Sequence, residues 1–342
     1  MKKFLLKVSI FAFYAVFLNV ILPIWIDPFN VFHVENIRFT GTAANDHYIK
    51  TQYILNHPER YNSFMLGSSR VGAIHTDKIH DVKIYNMNYS SGLISENLAT
   101  LKTFLKNGIY PRRIYIGIDG SSCTANPEDH VNQGIFCPYE YLTDREYFYS
   151  LYLRPFDALC SLWYRFTKPN TRNAEIFYSY GWWCEYGRVS AIDWENDELV
   201  PSVGKTANKH VLPNALKDVQ EIVSICKEYD IDFVLFTHPL HHITYMASVK
   251  ENYLEFLEGL AKIKDFYNFS GLNNITLNNA NYLETSHYKA EVGDVIMDII
   301  CNGKSLPELQ RQGFGVKVTR ENAKDFIAML RKQVNDYKRL HQ

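Results

Sequence analysis

Short apolar runs alternate along most of this chain with segments in which apolar residues recur every three or four positions. The short runs predict buried strands, and the periodic segments predict amphipathic helices. The five predicted strands cover residues 63–66, 82–87, 113–118, 231–236 and 266–269. Strands separated by helices imply parallel βαβ units with helices on both faces of the sheet. We therefore expect a three-layer, doubly wound α/β fold around a mostly parallel, five-stranded sheet.

Helix start and stop signals refine this pattern. A helix is expected from Asp46 to Asn56, where Pro58 stops it, and another after Ser95, which is a plausible N-cap. A third follows Asn214. Further helical patterns cover residues 253–257, 292–299 and 319–342.

The N-terminal segment has the character of a membrane anchor. The 19 residues from Val8 to Ile26 would span roughly 28 Å as a helix, close to the hydrocarbon thickness of a bilayer. A cleaved signal peptide is the alternative, but the run ends in bulky residues with no small-residue cleavage site. Lysines precede the span and Asp27 follows it, so the positive-inside rule places the N-terminus in the cytoplasm. We expect a single-pass signal anchor in the cell membrane, inserted through residues 4–26, with the rest of the chain extracytoplasmic.

The chain behind the anchor divides into a linker and a large domain. Beyond the anchor at residues 1–27, we expect a linker with one approach helix at 28–60, an α/β domain at 61–302 and a C-terminal helical extension at 303–342. An aromatic-rich insertion at 124–205 follows the third strand and would hang over the crevice at the carboxyl end of the sheet. Its aromatic rings could stack on sugar rings or pack against one another as a cap.

Composition and charge narrow the function classes. Hydrophobic residues make up 46% of the chain, which supplies a large core and excludes a disordered protein. The 36 Lys and Arg against 37 Asp and Glu leave no basic excess for a phosphate backbone, so we expect no nucleic-acid partner. The six cysteines show no metal-ligand spacing. Four of them lie within 123–184, where disulfides and buried free thiols are both open.

Two short motifs could carry chemistry. The first predicted strand ends in Gly67-Ser68-Ser69-Arg70, which could aim the Ser69 hydroxyl into the crevice or simply cap a helix. Glu284 lies three residues before His287, close enough to hold one ring nitrogen while the other accepts a serine proton. Alone, Glu284 and His287 could equally be structural or surface residues near a helix start.

These motifs together resemble the SGNH/GDSL hydrolase superfamily. Gly67–Arg70 resembles the first block of that superfamily, Asn86–Gly92 the glycine block, Gly117–Asp119 the third block, and Glu284 with His287 the closing Asp-x-x-His block. A membrane-anchored, extracytoplasmic branch of the superfamily is similar in four further stretches. They are Ile26–Asn30, Asn268–Gly271, Asn281–Tyr282 and Ser286–Asp294.

The resemblance implies roles for individual residues. Ser69 would be the nucleophile, His287 the base and Glu284 the orienting acid. The backbone N–H groups of Ser69 and Gly92 would form the oxyanion hole, with Asp119 at the position of a side-chain donor. Asp119 departs from the Asn of the family, and an ionised carboxylate cannot donate a hydrogen bond to an oxyanion.

Two further residues near the crevice, Arg70 and His238, are candidates for contacts. Arg70 would bind an anionic substrate group or pair with a buried carboxylate. His238 follows the fourth strand and is expected to contact substrate. The sequence His238-Pro-Leu-His241-His242 places three histidines close together, which suggests a zinc site. No fixed acid or cysteine completes a set of zinc ligands, however. We expect no metal and no cofactor.

The resemblance implies a serine-dependent O-acyl esterase or transferase, with acetyl as the expected acyl group. Its substrate would be an extracytoplasmic cell-envelope carbohydrate, and a membrane-bound acyltransferase would be a partner. The residues do not distinguish an esterase from a transferase. The alternative is a non-catalytic SGNH-like protein that binds glycan or supports an assembly, and Asp119 is the feature that favours it.

Overall fold

The computed structural model describes residues 1–34, 42, 44–132, 136, 145–168, 174–202 and 211–341. These residues form an α/β fold with one mixed, mostly parallel sheet and a long N-terminal helix. The strands are β1 Ser63–Gly67, β2 Ile84–Asn86, β3 Arg113–Ile118, β4 Asp232–Thr237, β5 Phe266–Asn268 and β6 Val316–Val318.

The sheet has six strands in the order β2-β1-β3-β4-β5-β6, so the prediction of five strands was wrong by one. The first five in sequence are parallel, and the order 2-1-3-4-5 is common in doubly wound sheets. The additional strand β6 pairs antiparallel with β5, where Tyr267 lies opposite Lys317. It belongs to the segment expected to be a helical extension. Three residues with an exposed Lys at the centre produce no apolar run that sequence patterning could detect.

The helices of the body cover both faces of this sheet. The N-terminal half contributes α2 Asp46–Asn56, α3 Ile94–Lys106, α4 Pro127–Asn132, α5 Arg145–Ser150, α6 Pro155–Thr167 and α7 Ala174–Ser179. The C-terminal half contributes α8 Val211–Glu228, α9 His242–Lys250, α10 Tyr253–Ala261, α11 Ala290–Asn302, α12 Pro307–Arg311 and α13 Ala323–Leu340.

Alternate residues of each strand face opposite cores, which explains why the strands are apolar throughout. Phe64 and Leu66 of β1 pack with α3, α8 and α10 on one face. Met65, from the same strand, packs on the other face with Ile296 of α11. The β1 strand ends at Gly67, whose φ of 146° is unfavourable for other residues, and a Cβ there would lie 2.8 Å from the Gly117 carbonyl oxygen. Glycine thus lets β1 and β3 end side by side.

The helix boundaries test the start signals. The α2 range was predicted correctly, and the Asn45 side chain caps it by accepting the Tyr48 N–H at 2.9 Å. The start of α3 was misplaced. The Glu96 carboxylate accepts the Leu93 N–H at 2.9 Å, so the helix begins at Ile94 rather than after Ser95.

Two other starts were also displaced. The α8 helix includes Val211, three residues before Asn214, and α13 begins at Ala323 rather than at Thr319. Local propensity does not fix such boundaries within a turn.

The N-terminal helix α1 covers Lys2–Ile26 and includes a π-helical turn at Phe17–Ile21. It is long and apolar enough to cross a membrane. The orientation of the chain across that membrane stays a prediction from its flanking charges.

A compact turn follows α1. The Asp27 carboxylate accepts the N–H groups of Val31, Phe32 and His33, the first at 2.9 Å. Phe29 and Val31 then pack against Tyr48 of α2, which fastens the end of α1 to the body.

The cysteines within the described residues are unpaired: Cys123, Cys160, Cys184, Cys226 and Cys301. Cys137 lies outside the described residues.

Candidate functional site

The carboxyl ends of β1 and β3 bring polar side chains to one edge of the sheet, where the strand order reverses. Ser69 follows β1 and begins a 3₁₀ turn over Ser69–Ala73. It lines a cleft of about 330 Å³. Crevices at such a reversal are the usual ligand sites of open α/β sheets.

Ser69, His287 and Glu284 are brought together at this edge. The Ser69 Oγ lies 2.6 Å from His287 Nε2, and His287 Nδ1 is hydrogen-bonded to a carboxylate oxygen of Glu284. The second Glu284 oxygen accepts the Ser286 N–H at 2.5 Å. Burial alone would raise the pKa of Glu284, but its bonds to His287 and to the Ser286 N–H outweigh burial and lower it. The carboxylate is therefore ionised and able to orient the imidazole.

A small hairpin holds the Glu284–His287 segment in place. Tyr282 and Tyr288 form an antiparallel bridge at its base, and the Leu283 N–H donates to the His287 carbonyl at 2.9 Å. Both tyrosines are buried, and the Tyr282 hydroxyl donates to the Pro239 carbonyl at 2.9 Å. These contacts fix the spacing between Glu284 and His287 and point the histidine at Ser69.

Asp119 does not occupy the role of an oxyanion donor, which corrects the expectation for this residue. One of its oxygens accepts from Arg70 Nη1 at 2.7 Å and from the Ser68 hydroxyl at 2.9 Å. The other accepts the Ser121 N–H at 2.9 Å. Burial would raise the pKa of Asp119, but the Arg70 guanidinium, His238 and the hydrogen bonds from Ser68 and Arg70 together outweigh burial and lower the pKa. Asp119 is thus an ionised acceptor.

Arg70 is buried and pairs with Asp119, so of its two expected roles the structure places it in the ion pair. Its Nε also donates to the Ser286 carbonyl at 2.9 Å, and Nη2 to the Ser286 hydroxyl at 3.1 Å. Arg70 therefore links the segment after β1, the end of β3 and the hairpin that carries His287.

His238 was expected to contact substrate, but its side chain is not exposed. The side chain is fully buried beneath the cleft, with Nδ1 3.2 Å from the Tyr288 hydroxyl and the ring against Gly117. Burial lowers the pKa of His238 to about 3 despite the nearby Asp119 carboxylate, so the imidazole is neutral. It is a packing residue beneath the hairpin.

Gly92 is buried beside the end of β1. A Cβ there would lie 2.7 Å from the Gly67 carbonyl oxygen, so the close approach of these two segments requires glycine. The proposed N–H donors of Ser69 and Gly92 therefore belong to neighbouring segments, and their role in an oxyanion hole stays a prediction.

The insertion contributes a cleft wall that sequence reasoning did not assign to single residues. Trp183 Nε1 donates to the Ser69 carbonyl at 2.8 Å, and its ring meets His287 edge to face at 5.2 Å. The Trp183 N–H donates to the Gly72 carbonyl at 3.0 Å, and a Cβ on Gly72 would lie 2.1 Å from the indole. In the sequence, the two consecutive tryptophans after Gly181 were the signal that could have identified this cleft wall.

Other cleft residues come from α2, from the segment after β2 and from the insertion: Asp46, Lys50, Asn88, Tyr89, Phe177, Trp182 and Glu185. The buried Lys50 Nζ donates to the backbone carbonyls of Asn86, Asn88 and Gly181 at 2.6–3.1 Å. It therefore fastens the insertion to the end of β2. Not all aromatic residues of the insertion line the cleft, since Phe148 and Tyr152 pack with Phe29 just after α1.

Among the described residues, no group of three His, Cys, Asp or Glu side chains could hold a metal ion. The rings of His241 and His242 lie 4.2 Å apart, but no third ligand joins them within that part of the chain.

No family model, no curated protein and no solved structure matches this chain.

Proposed function

We propose that this protein is a serine-dependent O-acyl esterase or acyltransferase acting on a carbohydrate outside the cytoplasm. The observation that carries the proposal is the chain of contacts from Ser69 Oγ through the His287 ring to the Glu284 carboxylate. A hydroxyl hydrogen-bonded to an imidazole, which is in turn hydrogen-bonded to an ionised acid, is the arrangement that serine-dependent acyl transfer needs.

The chemistry follows from these contacts. Ser69 Oγ attacks the acyl carbonyl while its proton passes to His287 Nε2, and Glu284 stabilises the imidazolium through Nδ1–H. His287 then gives the proton to the departing sugar oxygen, which leaves an acyl-Ser69 ester. Water, or a second sugar hydroxyl, attacks that ester as His287 takes its proton. His287 then returns the proton to Ser69 Oγ as the acyl–Ser69 bond breaks. Water completes an esterase, and a sugar hydroxyl completes a transferase.

The substrate class is supported by the cleft wall. Phe177, Trp182 and Trp183 line the cleft beside Ser69, and aromatic faces are suited to stacking on sugar rings. The membrane helix would place such an enzyme beside a membrane-bound acyltransferase, which could supply the acyl group.

We test the enzyme with the full chain in detergent micelles, using p-nitrophenyl acetate turnover and labelling by a fluorophosphonate. Ser69→Ala and His287→Ala should each lower turnover by about 10³-fold or more, since each removes a group on which covalent catalysis depends. Ser90→Ala is the matched control because Ser90 lines the same cleft and is exposed. It should keep both turnover and labelling.

A non-catalytic glycan-binding or assembly protein is the second candidate. It is favoured by Asp119, whose carboxylate accepts hydrogen bonds from Arg70 and Ser68 where the family has a side-chain donor. An absence of fluorophosphonate labelling, together with turnover unchanged by Ser69→Ala, would replace the enzyme proposal with this one. Glycan binding weakened by Trp182→Ala would then support it.

A further inference from the structure

The helix α6 docks on the end of the membrane helix. Ala158 of α6 is buried against Leu22 and Ile26 in the last turns of α1, and Leu162 packs beside them. The Arg165 guanidinium donates to the Ile26 carbonyl. One face of α6 is therefore fully used in holding the end of α1.

A second face of α6, next to the docked one, is apolar and exposed. Its members recur at spacings of three, four and three residues, so they form a single stripe along the helix. The exposed fractions are 75% for Phe156, 50% for Leu159, 70% for Trp163 and 82% for Phe166. A helix on a water-facing surface normally presents polar residues on its outer side. A stripe of three large aromatic residues and a leucine therefore indicates a surface with a partner.

The position of α6 identifies that partner as the bilayer. The α1 helix would be roughly 37 Å long at 1.5 Å per residue, longer than the hydrocarbon core of about 30 Å, so its last turn lies at the membrane interface. The α6 helix packs on this turn and is therefore at the same level. Trp25, in that turn, is also exposed, and tryptophan favours the interface.

The charges at the ends of α6 fit the same placement. Arg154 precedes the helix and Lys168 follows it, and both are exposed. Cations flanking an apolar stripe can contact lipid phosphates while the stripe enters the acyl boundary.

We propose that α6 lies in the plane of the membrane interface and inserts Phe156, Leu159, Trp163 and Phe166 into the leaflet next to the α/β body. The chain would then hold the membrane by a spanning helix and by a second, interfacial helix packed against it. This pair of contacts restricts rotation of the body about α1. The proposal is independent of the activity of Ser69.

The test measures the surroundings of Trp163 in the full chain reconstituted into phosphatidylcholine vesicles. Tryptophan fluorescence is compared for the unaltered chain and Trp163→Phe, and the difference is the signal of Trp163. The substitution keeps an aromatic ring at an exposed position, so folding is preserved. Quenching is measured with lipids brominated on their acyl chains and with aqueous acrylamide. Trp194→Phe is the control, since Trp194 stacks on His241 and donates to Ser190 Oγ at 2.9 Å within the body.

We expect the Trp163 signal to lose most of its intensity in brominated lipid and to be shielded from acrylamide, while the Trp194 signal is insensitive to brominated lipid. Quenching of Trp163 by acrylamide without quenching by brominated lipid would overturn the proposal and leave α6 in water. Protection from both quenchers would also overturn it, because a second copy or another protein would then cover the stripe.

Discussion

Glu284 is the residue on which the orientation of His287 depends. Its two oxygens are both engaged, one by His287 Nδ1 and the other by the Ser286 N–H. A carboxylate in this position selects the tautomer that leaves Nε2 free to accept the Ser69 proton.

Replacing Glu284 by Gln should lower turnover of an activated ester by about 10³–10⁴-fold, because an amide can hold the wrong tautomer of His287. Glu284→Asp should retain more activity than Glu284→Gln, since it keeps the charge and changes only the reach. The measurement is the initial rate with p-nitrophenyl acetate. Glu291→Gln serves as the control. Glu291 is on α11, and its carboxylate accepts a hydrogen bond from the Gly187 N–H. Equal rates for Glu284→Gln and the unaltered chain would remove Glu284 from the mechanism.

Arg70 and Asp119 have a different role from the one that sequence position alone indicates. Both are buried, and their pair connects the ends of β1 and β3 with the hairpin at Ser286. A buried pair of this kind is costly to break from one side, because the remaining charge has no partner. An acid is therefore needed at position 119 as the partner of Arg70, which directly follows Ser69.

At the scale of elements, the C-terminal segment is part of the domain rather than an appendage. Residues Val316–Val318 extend the sheet, and α13 packs on α10 through buried residues. The side chains of α13 in this core are Ala323, Phe326, Ile327, Leu330 and Val334.

Leu330→Ala should therefore destabilise the whole fold by about 2–5 kcal/mol, the usual cost of removing a fully buried leucine. Lys332→Ala, on the exposed side of the same helix, should change stability very little. Thermal unfolding of the full chain in a neutral detergent, followed by far-ultraviolet circular dichroism, measures both. An unchanged main transition in Leu330→Ala would mean that α13 unfolds separately from the sheet.

The insertion shows how one segment can serve two neighbours. Its first part places Phe148 and Tyr152 against the turn that follows α1, and its last part places Trp182 and Trp183 at the cleft. The exposed stripe of α6 lies between these parts in sequence. The insertion thus connects the end of α1 with the wall of the candidate active site.

At the scale of the whole molecule, several buried histidines make stability depend on pH. Burial lowers the pKa of His47 and His238 to about 3 and that of His241 to about 4. These groups are neutral in the folded chain near pH 6, whereas in the unfolded chain their pKa is 6.5. Protons therefore bind preferentially to the unfolded state as the pH falls below that value.

The unfolding free energy should accordingly decrease from pH 7 to pH 5, by about 1 kcal/mol per pH unit for each such histidine. Asp119 and Glu284 contribute little in this window, because the stabilisation from a lowered carboxyl pKa is lost only as the pH falls through the unfolded values, 3.8 for Asp and 4.5 for Glu. Denaturant unfolding at several pH values measures the slope. His238→Gln should reduce it, whereas His80→Gln, at an exposed position, should not. The same dependence of unfolding free energy on pH in the unaltered chain, His238→Gln and His80→Gln would contradict a neutral, buried His238.

Patterns that are local in sequence determined much of this protein. Continuous apolar runs identified five parallel strands because each strand is buried on both faces, and the run before Asp27 identified the helix that could span a membrane. The positions of Ser69 and His287, at the ends of elements, also placed them at one sheet edge.

Tertiary structure decided what depends on partners distant in the chain. The ion pair between Arg70 and Asp119, the burial of His238, the contact of Trp183 with Ser69 and the exposed stripe of α6 each depend on where another segment packs. The edge strand β6 is likewise defined by its pairing with β5 rather than by its own three residues. Periodicity reports which positions are apolar, but burial, charge pairing and exposure arise only when separate elements meet.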